Sequence, residues 1–459
     1  MRFEITRPLS ICMLAALAAC GGGGGSDSTA GVPANSTAPA VINTATGTTT
    51  AAYGVLGTPT VRVAFVPSPG GVTPFLLENA GSRSVTWGNA LALSGIPPTV
   101  PLSFRVDACT VDSNDLKSVC VGFASSKVAV VDLLKFATTL QISDIGVQEF
   151  DSGAGSVPIR FSGNTCVICG IAADVGKRRF VIGGAGGYRV FNYGSTSAAA
   201  VYDIPVGENF AFLPQIGAPS YIVAPEYVPN GGNRKLRVID VDNQRVYAWT
   251  RSTDSVADLG AAGASFQMAE VDAAAVDPKT RMIVLSNEDT GDFLLVDFGQ
   301  ATFDAAAGTF SAPFSFARPD PATAVARLTD VAVSTDRSIL LSHGEGKENV
   351  AVTQLPTVSG TGGAGTGRLG TFDLNDANLD RTPCGAGYVF TGKGDPHGLS
   401  LYAGIDNGQR GLVIDLNNTC AAIVDLVGLL GAPHDAADPN RIDTTSAAVR
   451  AMVRFVKLR

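Results

Sequence analysis

A short apolar phrase that ends in Val-Asp or Ile-Asp, or in a polar replacement of the aspartate, recurs along the chain, and it limits the possible folds more than any other feature. Its last residues are Asp132, Asn192, Asp240, Asp297, Thr353 and Asp415, which are 48 to 62 residues apart. A second phrase, an arginine before an apolar run, precedes several copies, as in RRFVIGG, RMIVLSN and RSILLSH. Each unit therefore predicts several short strands, with the polar residue ending a buried strand where it can bind turn amides.

Repeats of this kind, at about 40 to 50 residues with several strands each, are the signature of a β-propeller. One four-stranded sheet exposes two apolar faces, and stacking each sheet, or blade, against the next hides them. The 53 glycines and 25 prolines agree with an all-β chain. Six units are visible. We expect a seventh blade built from 61–67 and 452–458, which would close the ring with strands from both termini, and six blades are the alternative. Two packed β-sandwiches are the competing architecture.

Residues 272–298, DAAAVDPKTRMIVLSNEDTGDFLLVDF, resemble the repeat of the YVTN family of seven-bladed propellers. In that repeat a D-x-A-V-D phrase and a V-Y-V-S-N phrase precede a V-I-D strand. Residues 394–416 hold a more distant copy, and the resemblance extends over about 119–426. The chain departs from the pattern at 208–224 and 302–324. The family shares an architecture and no reaction, so the resemblance implies a rigid disc whose surfaces are built from loops.

The N-terminal segment has the pattern of an export signal. Arg2 and Arg7 precede the apolar run 9–19, and the tetrapeptide LAAC, which ends at Cys20, leads into five glycines. The run is about half the length that a spanning helix needs. The segment resembles a bacterial lipoprotein signal, in which the cysteine becomes acylated and is the first mature residue. Because Gly21 is not aspartate, the resemblance implies delivery to the outer membrane of the cell envelope.

The predicted organisation has three parts. Residues 1–19 are the signal peptide, and residues 20–52 are the lipidated cysteine with a flexible tether rich in Gly, Ser, Thr and Ala. Residues 53–459 are the propeller. Several acyl chains on Cys20 would make the membrane a permanent partner. The alternative is an ordinary signal peptide with an incidental cysteine.

The net charge argues against one class of partner. The chain has 33 basic and 41 acidic side chains and a net charge of −8, without a run of five like charges. A nucleic-acid partner is therefore disfavoured, and the dispersed acidity is typical of a solvated surface.

Six cysteines remain once Cys12 is removed with the signal and Cys20 is acylated, an even number that suits an oxidising compartment. Cys109 and Cys120 flank a polar turn, which predicts a disulfide across a hairpin. Cys384 and Cys420 are expected in neighbouring strands of the last repeat, so we predict that they pair.

The remaining cysteines, Cys166 and Cys169, form CVIC, a spacing that also occurs in redox, zinc and haem sites. Gly170 stands where haem attachment needs histidine, and a zinc site would need a second pair nearby. Redox pairs begin a helix, whereas this one leads into a β repeat. We therefore expect a local structural disulfide.

Catalytic motifs are absent from the sequence. His343, His397 and His434 are the three histidines that could act as a base near neutral pH, and each lies at a predicted strand end or turn. Asp376, Asn378 and Asp380 form the first half of a calcium-binding loop, but Arg381 and Gly387 replace its turn glycine and closing glutamate.

The sequence thus favours a binding or scaffolding module without a cofactor, which would hold a protein or a small molecule on one face of the propeller. The alternative is a hydrolase of the propeller lactonase type, which could depend on a divalent cation. Such an enzyme would need histidine, carboxylate or arginine side chains that converge at one mouth.

Overall fold

The repeats predicted from the sequence form antiparallel sheets of four strands in the computed structural model. The structure describes residues 40–43, 61–68, 71–78, 90–92 and 100–457, with gaps at 113–114, 137–141, 156–157, 161–164, 207–209, 216, 227–234, 250–270, 278, 288–291, 318–327, 335–336, 345–348, 356–368, 392–400, 406–408 and 416–418. The described residues form six blades of a β-propeller, which confirms the predicted fold class with the alternative number of blades. The signal peptide, Cys20 and His397 lie outside the described residues.

An N-terminal sheet precedes the blades and contains β1 Ala40–Asn43, β2 Val61–Ser68, β3 Gly71–Glu78, β4 Ala90–Ala92 and β5 Val100–Pro101. Blade 1 contains β6 Ala108–Asp112, β7 Lys117–Val121, β8 Lys127–Asp132 and β9 Gly146–Asp151. The short strands β10 Ile159–Arg160 and β11 Thr165–Cys166 form a separate pair. Blade 2 contains β12 Ile168–Asp174, β13 Arg179–Gly184, β14 Gly187–Asn192 and β15 Ala200–Tyr202.

Blade 3 contains β16 Ala211–Leu213, β17 Tyr221–Pro225, β18 Leu236–Asp240 and β19 Arg245–Trp249. Blade 4 contains β20 Val271–Asp277, β21 Met282–Asn287, β22 Asp292–Asp297 and β25 Phe314–Ala317, with the hairpin β23 Thr302–Asp304 and β24 Thr309–Ser311 inserted before β25. That hairpin joins blade 3, because β24 pairs in parallel with β19. The insertion accounts for the departure from the repeat that the sequence shows after residue 302.

Blade 5 contains β26 Leu328–Val333, β27 Ile339–Gly344, β28 Asn349–Gln354 and β29 Leu369–Asp373. Blade 6 contains β30 Leu401–Ile405, β31 Arg410–Ile414, β32 Cys420–Asp425 and β33 Val453–Lys457, with helices α1 Leu426–Leu430 and α2 Ala447–Met452 between its last two strands. Single 3-10 turns cover Ile142–Asp144, Phe298–Gln300 and Thr382–Cys384.

Both faces of the blades are buried, which explains why their strands read as continuous apolar runs. In blade 1, Val119 and Val130 face a core shared with blades 2 to 4. Ala129 and Val131 face the other way, against Val72 of β3 and the segment around Phe104. The N-terminal sheet and the segment after it therefore cover the side of blade 1 that lies away from blade 2.

The expected terminal clasp is wrong. β33 pairs along its length with β32, so it completes blade 6 from residues of the C-terminal repeat alone. β2, which covers most of the other proposed clasp segment, pairs with β1 and β3. A strand that follows its neighbour through a local connection loses less chain entropy on pairing than one closing a loop of about 400 residues, which favours local pairing. β1 also lies within 20–52, where the sequence predicts a tether.

The recurring polar residue ends the third strand in blades 1 to 4, as predicted, and in blade 5 Thr353 is the last but one residue of the third strand. In blade 6 the corresponding Asp415 instead follows the second of the four described strands, β31. Its carboxylate accepts hydrogen bonds from the N–H groups of Thr419 and Cys420 at 2.7 and 2.9 Å. The predicted role as a turn-closing acceptor therefore holds at Asp415 although the strand order differs.

Candidate functional site

The strand order gives every blade two ends. In an antiparallel blade the first and third turns lie at one end, which we call the hairpin end. The second turn and the connection to the next blade lie at the opposite end, which we call the connection end. Blades 1 to 5 follow this order in the described residues.

The three predicted disulfides are present in the structure. Cys109 and Cys120 are directly opposite each other in β6 and β7, with a Cα–Cα distance of 4.2 Å. Cys166 and Cys169 join the end of β11 to the start of β12, and both are buried. No helix begins at this pair among the described residues, which agrees with a structural disulfide.

The third pair, Cys384 and Cys420, is also bonded, but the expected setting is wrong. Cys420 begins β32, whereas Cys384 lies in a 3-10 turn of the connection before blade 6. The disulfide therefore ties a connection to a strand. Tyr388, from the same connection, donates a hydrogen bond to Asp415. Burial and this hydrogen bond raise the pKa of Tyr388 to about 12.

The two histidines that the structure describes lie in different settings. His343 is fully buried inside β27, opposite Val350 of β28. His434 lies in the loop between α1 and α2, where its Nδ1 contacts the carbonyl of Pro439. His343 is thus a residue of the sheet interior, and His434 belongs to a loop that folds on itself.

The residues of the calcium-like loop bond to neighbouring groups. The Asp376 carboxylate accepts a hydrogen bond from Thr444 at 2.7 Å and pairs with Arg441 at 3.2 Å. Asp380 accepts the N–H of Thr382 at 3.0 Å. Partial burial opposes the shift, but the bonds from Asn378 and Thr444 and the charge of Arg441 together hold the pKa of Asp376 below its usual value. Within the described ranges, no three His, Cys, Asp or Glu side chains are grouped so that they could hold a metal ion.

At the hairpin end, three buried aspartates bond to the following blade. Asp112, Asp174 and Asp277 each end the first strand of a blade. They accept hydrogen bonds from Tyr193 of blade 2, Ser220 of blade 3 and Ser338 of blade 5, at 3.3, 2.9 and 2.5 Å respectively. The sequence contains the recurring AAD and AVD phrases, but their partners lie 46 to 81 residues away, so sequence spacing did not reveal the bonds.

A group of charged side chains reinforces the contact between blades 2 and 3. Arg179 donates to both Asp174 and Asp242, and Lys177 donates to Asp242 at 2.5 Å and to the carbonyl of Ala218 at 2.6 Å. Partial burial opposes the shift, yet Lys177, the N–H of Ser220 and Arg179 together hold the pKa of Asp242 below its usual value. These charged side chains bond mainly to one another across the boundary between blades 2 and 3, so they hold the two blades together.

An aromatic cluster at the hairpin end fixes the inserted hairpin to blade 3. The ring of Phe303 stacks on Tyr221 with a centroid distance of 5.2 Å and contacts Tyr247 and Phe298 at 5.1 and 5.7 Å. Phe303 is 36% exposed, so one side of the cluster reaches solvent. The sequence did not predict this contact, because it depends on the parallel pairing of β24 with β19.

At the connection end, three short loops meet between blades 1 and 2. The loop 152–155 follows β9, the disulfide loop 166–169 begins β12, and the turn 185–186 joins β13 to β14. The N–H of Ala185 donates to the carbonyl of Val167 at 3.0 Å. The disulfide loop therefore holds the neighbouring turn in place.

No protein-family model matches the chain, and no curated protein matches it. Solved structures do resemble its fold. Hydrazine synthase from Kuenenia stuttgartiensis is 12% identical over 86% of this chain and 96% of that one, with a TM-score of 0.47. The β-propeller domain of Cps50 (Swd1) from Myceliophteria thermophila is 11% identical over 78% and 91%, with a TM-score of 0.42. A protein of unknown function from Desulfotomaculum acetoxidans is 9% identical over 87% and 96%, with a TM-score of 0.45.

The likeness to these structures concerns the fold alone. Among the described residues, no helix has the length and apolar character needed to cross a membrane.

Proposed function

We propose that this protein is a lipid-anchored β-propeller of the bacterial cell envelope, in which Cys20 carries the anchor and the ring binds a protein or small-molecule ligand. The observation that carries the proposal is the pairing of all six cysteines other than Cys12 and Cys20 into disulfides. Disulfides of this number persist in exported proteins. The LAAC tetrapeptide supplies the anchor, with the outer membrane as its expected destination.

The polar groups at the hairpin end support binding as the function. Asp174, Arg179 and Asp242 bond to one another and to the adjoining blade, so they fix the angle between blades. A ring held in this way keeps the loops at its connection end in one arrangement. A preformed surface binds with less loss of conformational entropy than a mobile one.

The anchor is tested by replacing Cys20 with serine, with Cys12→Ser, in the apolar run before it, as the matched control. We expect Cys20→Ser to abolish incorporation of labelled palmitate and to release the protein from the membrane fraction, because acyl chains supply the affinity for the bilayer. Cys12→Ser should be labelled and sedimented like the unaltered protein.

Tight association of the Cys20→Ser variant with outer membranes after a high-salt wash would contradict the anchor.

The binding part of the proposal has its own test. Sustained hydrolysis of simple lactones or esters by the purified protein, with or without added divalent cations, would favour the hydrolase alternative.

A further inference from the structure

Arg189, in the middle of β14, is a cation that has no counter-charge among the residues that the structure describes. Its Nε is buried and has no hydrogen-bond acceptor, and no carboxylate pairs with the guanidinium in the part of the chain that the structure describes. Arg179, on the adjacent strand β13, differs from Arg189 because its guanidinium pairs with two carboxylates. A partly buried guanidinium has lost part of its hydration, so an oxyanion bound to it would restore strong hydrogen bonds.

Two glycines leave the space that the guanidinium occupies. A Cβ atom on Gly186 would lie 2.7 Å from Nη2 of Arg189, and one on Gly153 would lie 3.6 Å from Nη1. Gly153 belongs to the loop after blade 1 and Gly186 to the second turn of blade 2. The guanidinium therefore lies between the loops of two blades at the connection end, and we call this arrangement the Arg189 cradle.

The surroundings of the cradle are fixed by bonds that do not involve Arg189. Ser152 donates from its N–H and its hydroxyl to the carbonyl of Ser126, at 2.9 and 2.6 Å. On the other side, the N–H of Ala185 donates to the carbonyl of Val167, inside the loop that the Cys166–Cys169 disulfide closes. Both loops keep their shape without a contribution from the guanidinium, so the cation is available to a ligand.

Asp151, which directly precedes the loop 152–155, does not pair with Arg189. The Asp151 carboxylate accepts hydrogen bonds from the N–H of Gly153 and from Ser126, both at 2.8 Å. Those two bonds, with the charge of Lys127, lower the pKa of Asp151. Arg189 is half-buried as a whole residue, so a small group can reach it from solvent.

We propose that the Arg189 cradle binds an oxyanion, a carboxylate or phosphate group of the ligand, at the boundary between blades 1 and 2. The planar guanidinium can donate two parallel hydrogen bonds to such a group, which gives orientation as well as affinity. This inference deepens the proposed binding function by naming the chemistry of the ligand. It does not depend on the anchor or the location.

The test uses inorganic phosphate and acetate as separate probes, with the purified chain at constant ionic strength. Saturable line broadening of the NMR signal of either probe reports binding, and the two arms distinguish phosphate from carboxylate recognition. We expect the unaltered protein to bind at least one probe and Arg189→Gln to bind it at least tenfold more weakly. Arg178→Gln is the matched control, because the Arg178 side chain is 74% exposed at the hairpin end and lies 3.7 Å from Asp115.

Gly186→Ala keeps the experiment decisive if Arg189→Gln fails to fold. Its methyl group would displace the end of a flexible side chain, and Gly186 does not have the left-handed φ that would make alanine strained. We expect this variant to keep its thermal midpoint and to lose at least tenfold in probe affinity. Failure of the unaltered protein to bind either probe would overturn the proposal. Equal binding by the unaltered protein, Arg189→Gln and Gly186→Ala would overturn it as well.

Discussion

At the scale of single residues, the carboxylates at the hairpin end combine two tasks. Asp277 closes its own turn by accepting the N–H of Lys279 at 3.0 Å and the hydroxyl of Thr280 at 2.7 Å. It also accepts the hydroxyl of Ser338 from blade 5. Because Asp277 and the Ser338 side chain are both buried, removing the carboxylate would leave the Ser338 hydroxyl without this acceptor away from water, and the turn would lose the two bonds from Lys279 and Thr280.

We therefore predict that Asp277→Ala lowers the free energy of unfolding by about 3 kcal/mol, measured by urea denaturation. Ser338→Ala removes only the bond between blades and should cost about 1 kcal/mol. Asp304→Ala is the control, since Asp304 also accepts turn N–H groups but is exposed. Equal losses of unfolding free energy for Asp277→Ala and Asp304→Ala would show that burial of the carboxylate does not increase its contribution to stability.

At the scale of structural elements, the disulfides close loops of very different length. The sequence separations are 36 residues for Cys384–Cys420, 11 for Cys109–Cys120 and 3 for Cys166–Cys169. A cross-link restricts the unfolded chain more when it closes a longer loop. The three disulfides should therefore contribute different amounts to the free energy of unfolding, even though all six cysteines are buried.

Replacing each pair by two alanines should lower the free energy of unfolding by about 4, 3 and 1.5 kcal/mol, in order of decreasing loop length. Thermal and urea unfolding of the three double variants measures the order. The unaltered protein under non-reducing conditions is the reference. A larger loss for Cys166–Cys169 than for Cys384–Cys420 would contradict the entropic explanation and would assign the short disulfide a role in packing.

The elements also show what the sequence could and could not predict. The strands and the repeat could be predicted from the sequence, because apolar runs and turn residues are local features. Two contacts could not be predicted, because each joins residues that only the packing of the blades brings together. They are the hydrogen bond from Ser220 to Asp174 and the stacking of Phe303 on Tyr221. The cradle around Arg189 was missed for the same reason, since its two glycines belong to different blades.

At the scale of the whole molecule, the core is divided. Among the described residues, one buried cluster runs through blades 1 to 4 and a second joins blades 5 and 6, while a smaller cluster packs blade 4 against blade 5 and another covers the outer side of blade 1. β33 contributes Val453 and Phe455 to the second cluster. The two ends of the chain therefore stabilise different parts of the ring, whereas a clasp of terminal strands would have stabilised both parts together.

This division predicts how a truncation acts. Deleting residues 453–459 removes the pairing partner of β32 and the ring of Phe455, which contacts Phe390 at a centroid distance of 6.1 Å. We expect amide exchange to accelerate in blades 5 and 6 and to stay slow in blades 2 and 3, because local unfolding follows contiguous packed units.

A pair of point variants separates the loss of packing from the loss of the strand. Phe455→Ala should reproduce part of the effect, at a cost of about 3 kcal/mol, because it leaves a cavity in the second cluster. Lys457→Ala, on the same strand but exposed, should change stability by less than about 0.5 kcal/mol. Uniform acceleration of exchange through blades 1 to 6 after the truncation would contradict this division and would mean that the ring unfolds as one unit.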